Sequence, residues 1–156
     1  MDDPQFFQFE TDFVAGLRCI PMQVRFKLDT CGVKLKLSHW NQFSQSERQA
    51  LVTLPCDTAP TIEAYRSHVQ AQVSHYTGQP AALLPIDPSP PWQGKQLPDT
   101  VQAQAQTLQI ALSDQQWQQL TPLQRFVLLK LSRPGHENQN FLPALQEFAL
   151  VASPSA

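Results

Sequence analysis

Charge is scarce in this chain: of 156 residues only 15% are Asp, Glu, Lys or Arg, and the formal net charge is −2. A domain that binds nucleic acid by neutralising phosphates carries a clear excess of Lys and Arg, so the composition argues against that class. Glycine is scarcer still, and its five copies, at 16, 32, 78, 94 and 135, are isolated. A phosphate loop or a dinucleotide fingerprint needs clustered glycines, so neither exists here. The three cysteines, Cys19, Cys31 and Cys56, are an odd number at wide spacing, which fits reduced thiols better than a disulfide framework. The same spacing lacks the close ligand pairs of a structural zinc site. His136 and Glu137 are adjacent, but the zinc-protease helix needs a second histidine at position 140, which is Asn140. No metal or cofactor is expected. Nor does any apolar run approach the roughly 20 residues that span a bilayer, and MDDPQFFQFETD is acidic where a signal peptide is basic. A soluble, cytoplasmic protein with no membrane contact is the expectation.

What the chain has instead is glutamine, 22 copies, and proline, 14. Glutamine favours helix and solvates a surface without creating a field. The length suits one compact domain over 1–156, with residues 151–156 expected as a disordered tail. Charge is unevenly placed along it. Arg18, Arg25, Lys27, Lys34 and Lys36 face only Asp29 between residues 18 and 36, either as the solvated face of a helix or as a guide for an acidic partner.

Punctuation predicts helices. Pro21 suits a first helical turn and Gly32 the position just past an end, with Val24, Leu28 and Cys31 at helical spacing between them. FETDFVAGLRCI is expected as a shorter helix that breaks at Pro21, whose ring would clash with the carbonyl of Leu17. VKLKL alternates with period two and reads as a lone extended connection, with Val33, Leu35 and Leu37 inward. Ile62, Tyr65, Val69, Val73 and Tyr76 share one face of a long helix closed by Gly78, with His68 and His75 on the same general side. Residues 80–98 hold six prolines and read as a long proline-rich loop, packed down through Leu83, Leu84, Ile86 and Trp92.

One pattern occurs twice. Trp40 is followed by Phe43, Ser44, Arg48 and Leu51, and Trp117 by Leu120, Thr121, Arg125 and Leu128, at identical offsets of three, four, eight and eleven. Each copy carries a capping signature, Ser44 with Glu47 and Thr121 with Gln124. Both copies predict a short helix bearing the tryptophan, a capped turn and a longer helix, so the fold class is all-α, a single domain of helical hairpins. A DNA-binding helix-turn-helix would share that outline, but SERQALVTL and PLQRFVLLKL are short of basic residues for base edges.

RPGHENQNF, residues 133–141, ends a hydrophobic helix and lets another begin after Asn140. A turn needs its proline, glycine and asparagine. It does not need Arg133, His136 and Glu137 as well, and that surplus suggests a recognition surface. A contrasting reading is a small thiol-dependent enzyme or redox sensor, with Cys19 activated by His136 and oriented by Asn138. Cysteine is more commonly a small buried hydrophobe, which favours packing for Cys19.

LRCIPMQVRFKLDTCGVKLKLSHW and RFVLLKLSRPGHENQNFLPALQEFAL, with the FQFETDF lead-in, resemble the signature blocks of the nitrate reductase-associated proteins, a small family chiefly of cyanobacteria. The resemblance covers most of the chain. It implies a gene neighbourhood of nitrate reductase, nitrate transport and molybdenum-cofactor genes, and a non-catalytic accessory or maturation role for assimilatory nitrate reductase. Its signature positions include Arg18, Cys19, Pro21, Arg25, Lys27, Leu28, Gly32, Trp40, Arg125, Pro134, Gly135, His136, Glu137 and Asn138. The expected partner is nitrate reductase, with the molybdenum-cofactor machinery or ferredoxin as further candidates. The residues proposed to meet it are Arg18, Cys19, Arg25, Arg133, His136, Glu137 and Asn138.

Overall fold

A computed structural model describes residues 6–11 and 15–152. Among them the chain is mostly helical, with one two-stranded sheet. It packs as two compact units, Glu10–Ile86 and Asp87–Ala156, the second also taking in Phe7–Phe9.

In the first unit, helix α1 (Met22–Cys31) starts after Pro21 and ends at Gly32, whose left-handed φ of 79° lets its N–H reach the Leu28 carbonyl at 2.9 Å. Pro21 stands at the N-cap rather than in the first turn and offers no capping side chain. The fully buried Glu10 supplies the cap instead, its Oε2 accepting the Met22 N–H at 3.0 Å. Upstream lie single 3-10 turns at Gln8–Glu10 and Ala15–Leu17, and positive φ at Gly16 and Leu17 makes the break before α1. The shorter helix expected there falls partly on residues 12–14, outside the described residues.

The alternating segment is not a lone strand. β1 (Val33–Lys34) pairs antiparallel with β2 (Ala82–Leu83), Val33 opposite Leu83 and Lys34 opposite Ala82. Val33 is buried, but Leu37 is 51% exposed, because α2 (Leu37–Gln42) begins there and ends the period of two. Then come α3 (Gln45–Thr53) and α4 (Ala59–Thr77), the latter closed by Gly78 at φ 81°. Tyr65, Val69 and Val73 of α4 are buried, whereas His68, His75 and Tyr76 are exposed. α1 packs on α3 and α4 around Trp40, Leu51, Val52 and Tyr65.

The proline-rich stretch is less uniform than a loop, since it contributes β2 and a 3-10 turn at Pro91–Gln93. Leu84 and Trp92 are half-buried, but Leu83 and Ile86 are 70% and 52% exposed, so they do not pack down as expected. The second unit continues with α5 (Asp99–Thr107), α6 (Asp114–Gln118), α7 (Pro122–Ser132), a 3-10 turn over His136–Asn140 and α8 (Phe141–Glu147). α7 is its axis, with Phe126, Val127, Leu128 and Leu131 buried against α5, α8 and the Pro91–Gln93 turn. Asn140 precedes α8 but forms no side-chain cap. Of the expected tail, residues 153–156 lie outside the described residues.

The repeat is a structural module, one copy in each unit. Trp40 and Trp117 are buried, and each indole N–H donates to the carbonyl 23 residues upstream, that of Leu17 at 2.8 Å and of Gly94 at 3.0 Å. Eight residues after each tryptophan an arginine binds three carbonyls. Arg48 donates to Trp40, Asn41 and Leu17, and Arg125 to Trp117, Gln118 and Trp92, all at 2.9–3.2 Å. Each fork ties the end of a short helix, α2 or α6, to the upstream segment that carries Leu17 or Trp92.

Both capping boxes form. Ser44 Oγ accepts from Glu47 N at 3.1 Å and Glu47 Oε1 from Ser44 N at 2.7 Å; Thr121 and Gln124 repeat the exchange at 3.2 and 3.0 Å. The Ser44 N–H and the Tyr76 hydroxyl hold the Glu47 carboxyl below its ordinary range. A carboxyl depressed on folding stabilises above its unfolded value and loses that contribution as pH falls through its folded one. We expect Ser44→Ala and Thr121→Ala each to cost about 1 kcal/mol in urea denaturation at neutral pH. The Ser44 N–H and the Tyr76 hydroxyl remain in Ser44→Ala, so both losses should change little with pH, whereas the loss caused by Glu47→Gln should shrink in acid.

Candidate functional site

The RPGHENQNF turn is built by its own asparagine. α7 ends at Ser132, Arg133 turns extended (φ −75°, ψ 149°), and Gly135 takes φ 144°, a value that a side chain resists. The Asn138 N–H returns to the Gly135 carbonyl at 3.1 Å, and its Oδ1 accepts from Gln104 of α5 at 2.9 Å. Its Nδ2 reaches the Arg133 carbonyl at 3.4 Å. Asn138 is thus committed to holding the turn on α5. Arg133 is exposed beside the equally exposed Pro134 and Gly135, so a guanidinium stands on a turn that Asn138 stitches together. The side chains of His136 and Glu137 lie outside the described residues.

Arg18, Cys19 and Arg25 belong to the first unit. Arg18 is exposed and Cys19 half-buried in the chain between the Ala15–Leu17 turn and α1, and Arg25 is half-buried on the first turn of α1. The structure therefore assigns the candidates to two groups, one per unit, with Arg133 and Asn138 brought together in one turn.

Other polar signature positions turn inward. Arg125 is the fork of the second module. Lys27 donates to the carbonyls of Val52 and Leu54 at 2.7 and 2.6 Å, tying α1 to the end of α3. Burial lowers the Lys27 pKa, against the opposing pull of Cys56 and Asp57. Of the basic stretch, Lys34 and Lys36 join Arg18 in solvent.

Beside Lys27 lies a group that sequence reasoning missed. The Cys31 and Cys56 thiols lie in one core cluster, and each shifts the pKa of the other. Cys56 Sγ donates to the Lys27 carbonyl at 3.5 Å and Cys31 Sγ to the Leu28 carbonyl at 3.6 Å, so both sulfurs sit on the last turn of α1. Arg66 Nε binds the Cys31 carbonyl at 2.8 Å, and buried Tyr65 donates to the Leu51 carbonyl at 2.7 Å. The two cysteines are 25 positions apart, and no short motif marks such a pair.

Two surface depressions, one lined by Gln102, Gln106 and Ile110 and another along Pro91–Asp99, hold no cysteine, histidine or serine. Among the described residues, no group of three or more His, Cys, Asp or Glu is placed to hold a metal ion, and no helix is long and apolar enough to cross a membrane.

A family model described as conserved nitrate reductase-associated protein matches residues 6–148. The chain belongs to that family. Neither curated proteins nor solved structures give a match. The matched span takes in both tryptophan–arginine modules, Cys31 and Cys56, and the Arg133 turn. The family description ties it to nitrate reductase.

Proposed function

We propose that this protein is a non-catalytic accessory or maturation factor for assimilatory nitrate reductase, acting by protein contact during cofactor insertion or electron-donor docking. Nitrate reductase is the partner, and the molybdenum-cofactor machinery or ferredoxin would meet the same complex in the cytoplasm. The observation that carries the reading, beyond family membership, is the Arg133 turn. Asn138 holds its backbone while Arg133 stays exposed, so the turn presents a charged side chain to solvent. A pre-ordered turn loses little entropy on binding, and an exposed guanidinium offers forked donors to a partner carboxylate. His136 and Glu137 extend the proposed surface along the chain, and Arg18, Cys19 and Arg25 form its counterpart on the first unit.

Arg133→Ala and Arg18→Ala should change stability by no more than about 0.5 kcal/mol. In cells grown on nitrate they should nevertheless lower nitrate reductase activity and reduce recovery of the reductase with the affinity-tagged protein. Reduced molybdenum in the reductase would assign the role to cofactor insertion. Full metal content with slowed reduction by ferredoxin would assign it to donor docking. Unchanged activity and recovery in both folded variants would refute the proposal.

A further inference from the structure

We propose that Cys31 and Cys56 form a reversible dithiol–disulfide couple, the redox-modification site of the first unit, with a low-molecular-weight disulfide such as oxidised glutathione as its oxidant. This goes beyond the accessory role and does not depend on it. Cys56 Sγ lies 3.5 Å from the Lys27 carbonyl oxygen and Cys31 Sγ 3.6 Å from that of Leu28, so the two sulfurs occupy consecutive carbonyls at the end of α1. Bond formation requires that both thiols rotate away from those carbonyls toward each other. Cys31 is wholly buried. Cys56 is also buried, at 7% exposed, but it sits between the exposed Pro55 and Asp57, so an incoming disulfide approaches from its side.

The surroundings suit a thiolate. The hydrogen bond from Cys56 lowers the Cys31 pKa against the opposing effect of burial, with Arg66 helping. The same hydrogen bond raises that of Cys56, burial adding to it, while Lys27 acts in the opposite sense. The pair thus gives up one proton readily and holds the second. Asp57 and the buried Tyr65 are the other titratable groups at the site.

In the first step Cys56 attacks one sulfur of glutathione disulfide, having passed its proton to Cys31. A Cys56–glutathione bond forms, the glutathione S–S bond breaks, and one glutathione thiolate leaves and is protonated. Cys31 then loses its proton and attacks the Cys56 sulfur, the Cys31–Cys56 bond forms, and the second glutathione leaves. Two thiols are oxidised by two electrons and one disulfide is reduced to two thiols. Excess reduced glutathione reverses both steps.

The test equilibrates the full-length protein, natively folded, in glutathione buffers of increasing oxidised fraction. Samples are acid-quenched, unfolded, alkylated with N-ethylmaleimide and peptide-mapped by mass spectrometry. Three alkylated cysteines are expected in the reduced protein. In oxidising buffer we expect alkylation of Cys19 alone, with the Cys31 and Cys56 peptides recovered joined and lighter by two hydrogens. Cys31→Ser should retain glutathione on Cys56, since the resolving thiol is gone; if that variant does not fold, the wild-type map and the Cys19→Ser variant decide. Three alkylated cysteines at every ratio, glutathione held on wild-type Cys56 without cross-linking, or a disulfide that includes Cys19 would overturn the proposal.

Discussion

Trp40→Ala and Trp117→Ala should each cost about 3–5 kcal/mol, the range for removing a large buried aromatic. Both indoles are essentially inaccessible, and each also anchors a distant segment through its N–H. The two sites differ in what truncation exposes. At Trp40 the acceptor is the carbonyl of Leu17, a non-glycine residue at φ 58° that Arg48 also holds, at 3.1 Å. Left-handed backbone costs a non-glycine residue about 1–2 kcal/mol, so the two donors together keep a strained residue in place. At Trp117 the acceptor belongs to the exposed Gly94, where water can replace the indole. Trp40→Phe, which keeps most of the volume and loses the donor, should therefore be more harmful than Trp117→Phe.

Arg48→Lys and Arg125→Lys should each lose on the order of 1–3 kcal/mol, because an ammonium cannot reproduce a planar fork across three carbonyls. Urea midpoints measure the loss, and amide exchange locates it, in α2 and α3 for Trp40 and Arg48 and in α6 and α7 for Trp117 and Arg125. A loss below about 1 kcal/mol for both alanine variants would contradict burial as the source of the effect.

These modules were visible in the sequence because their logic is local. The distances from tryptophan to cap to arginine are set by one short helix and one turn, so the same offsets recur wherever the same turn is made. Pro21, Gly32, Gly78 and Pro134 likewise punctuate helices through their own backbone restrictions. What escaped was long-range. The β1–β2 pair is two residues on each side, too short for an alternation pattern to reveal. Glu10 capping α1, Lys27 holding the end of α3 and Cys56 donating to the Lys27 carbonyl join residues that only the fold brings together.

The candidate surface was partly legible. The surplus polarity of RPGHENQNF pointed to Arg133, which is exposed, while Asn138, both a turn residue and a surface candidate in the sequence, has its amide engaged by Gln104 and the Arg133 carbonyl. Arg125 and Lys27 show the same limit, since an arginine that binds partners and one that binds its own carbonyls look alike in one sequence.

Gly32→Ala should be the most damaging of the glycine substitutions, and Gly78→Ala is its control. Both positions have nearly the same left-handed φ, 79° and 81°, so the backbone strain added by a Cβ, about 1–2 kcal/mol, is common to both. Their surroundings differ. A Cβ at Gly78 meets nothing within 4 Å, whereas one at Gly32 falls 2.8 Å from Ile86 Cγ1 and 2.9 Å from the Leu84 carbonyl oxygen. The Ile86 side chain is half exposed and can swing away. Leu84 cannot yield so easily, because its own N–H is bonded to the Gly32 carbonyl at 2.8 Å and it continues the short β1–β2 ladder. Relief of the clash must therefore break that bond and pull β2 off β1. The Gly32 variant should lose on the order of 2–4 kcal/mol, combining left-handed strain with a forced local rearrangement, against about 1–2 kcal/mol for Gly78→Ala. Amide exchange at Leu84 should accelerate in the first variant and remain slow in the second. Equal losses at the two glycines, with Leu84 still protected in both, would show that strain alone governs the Gly32 turn and that the close approach of the Leu84 backbone contributes nothing.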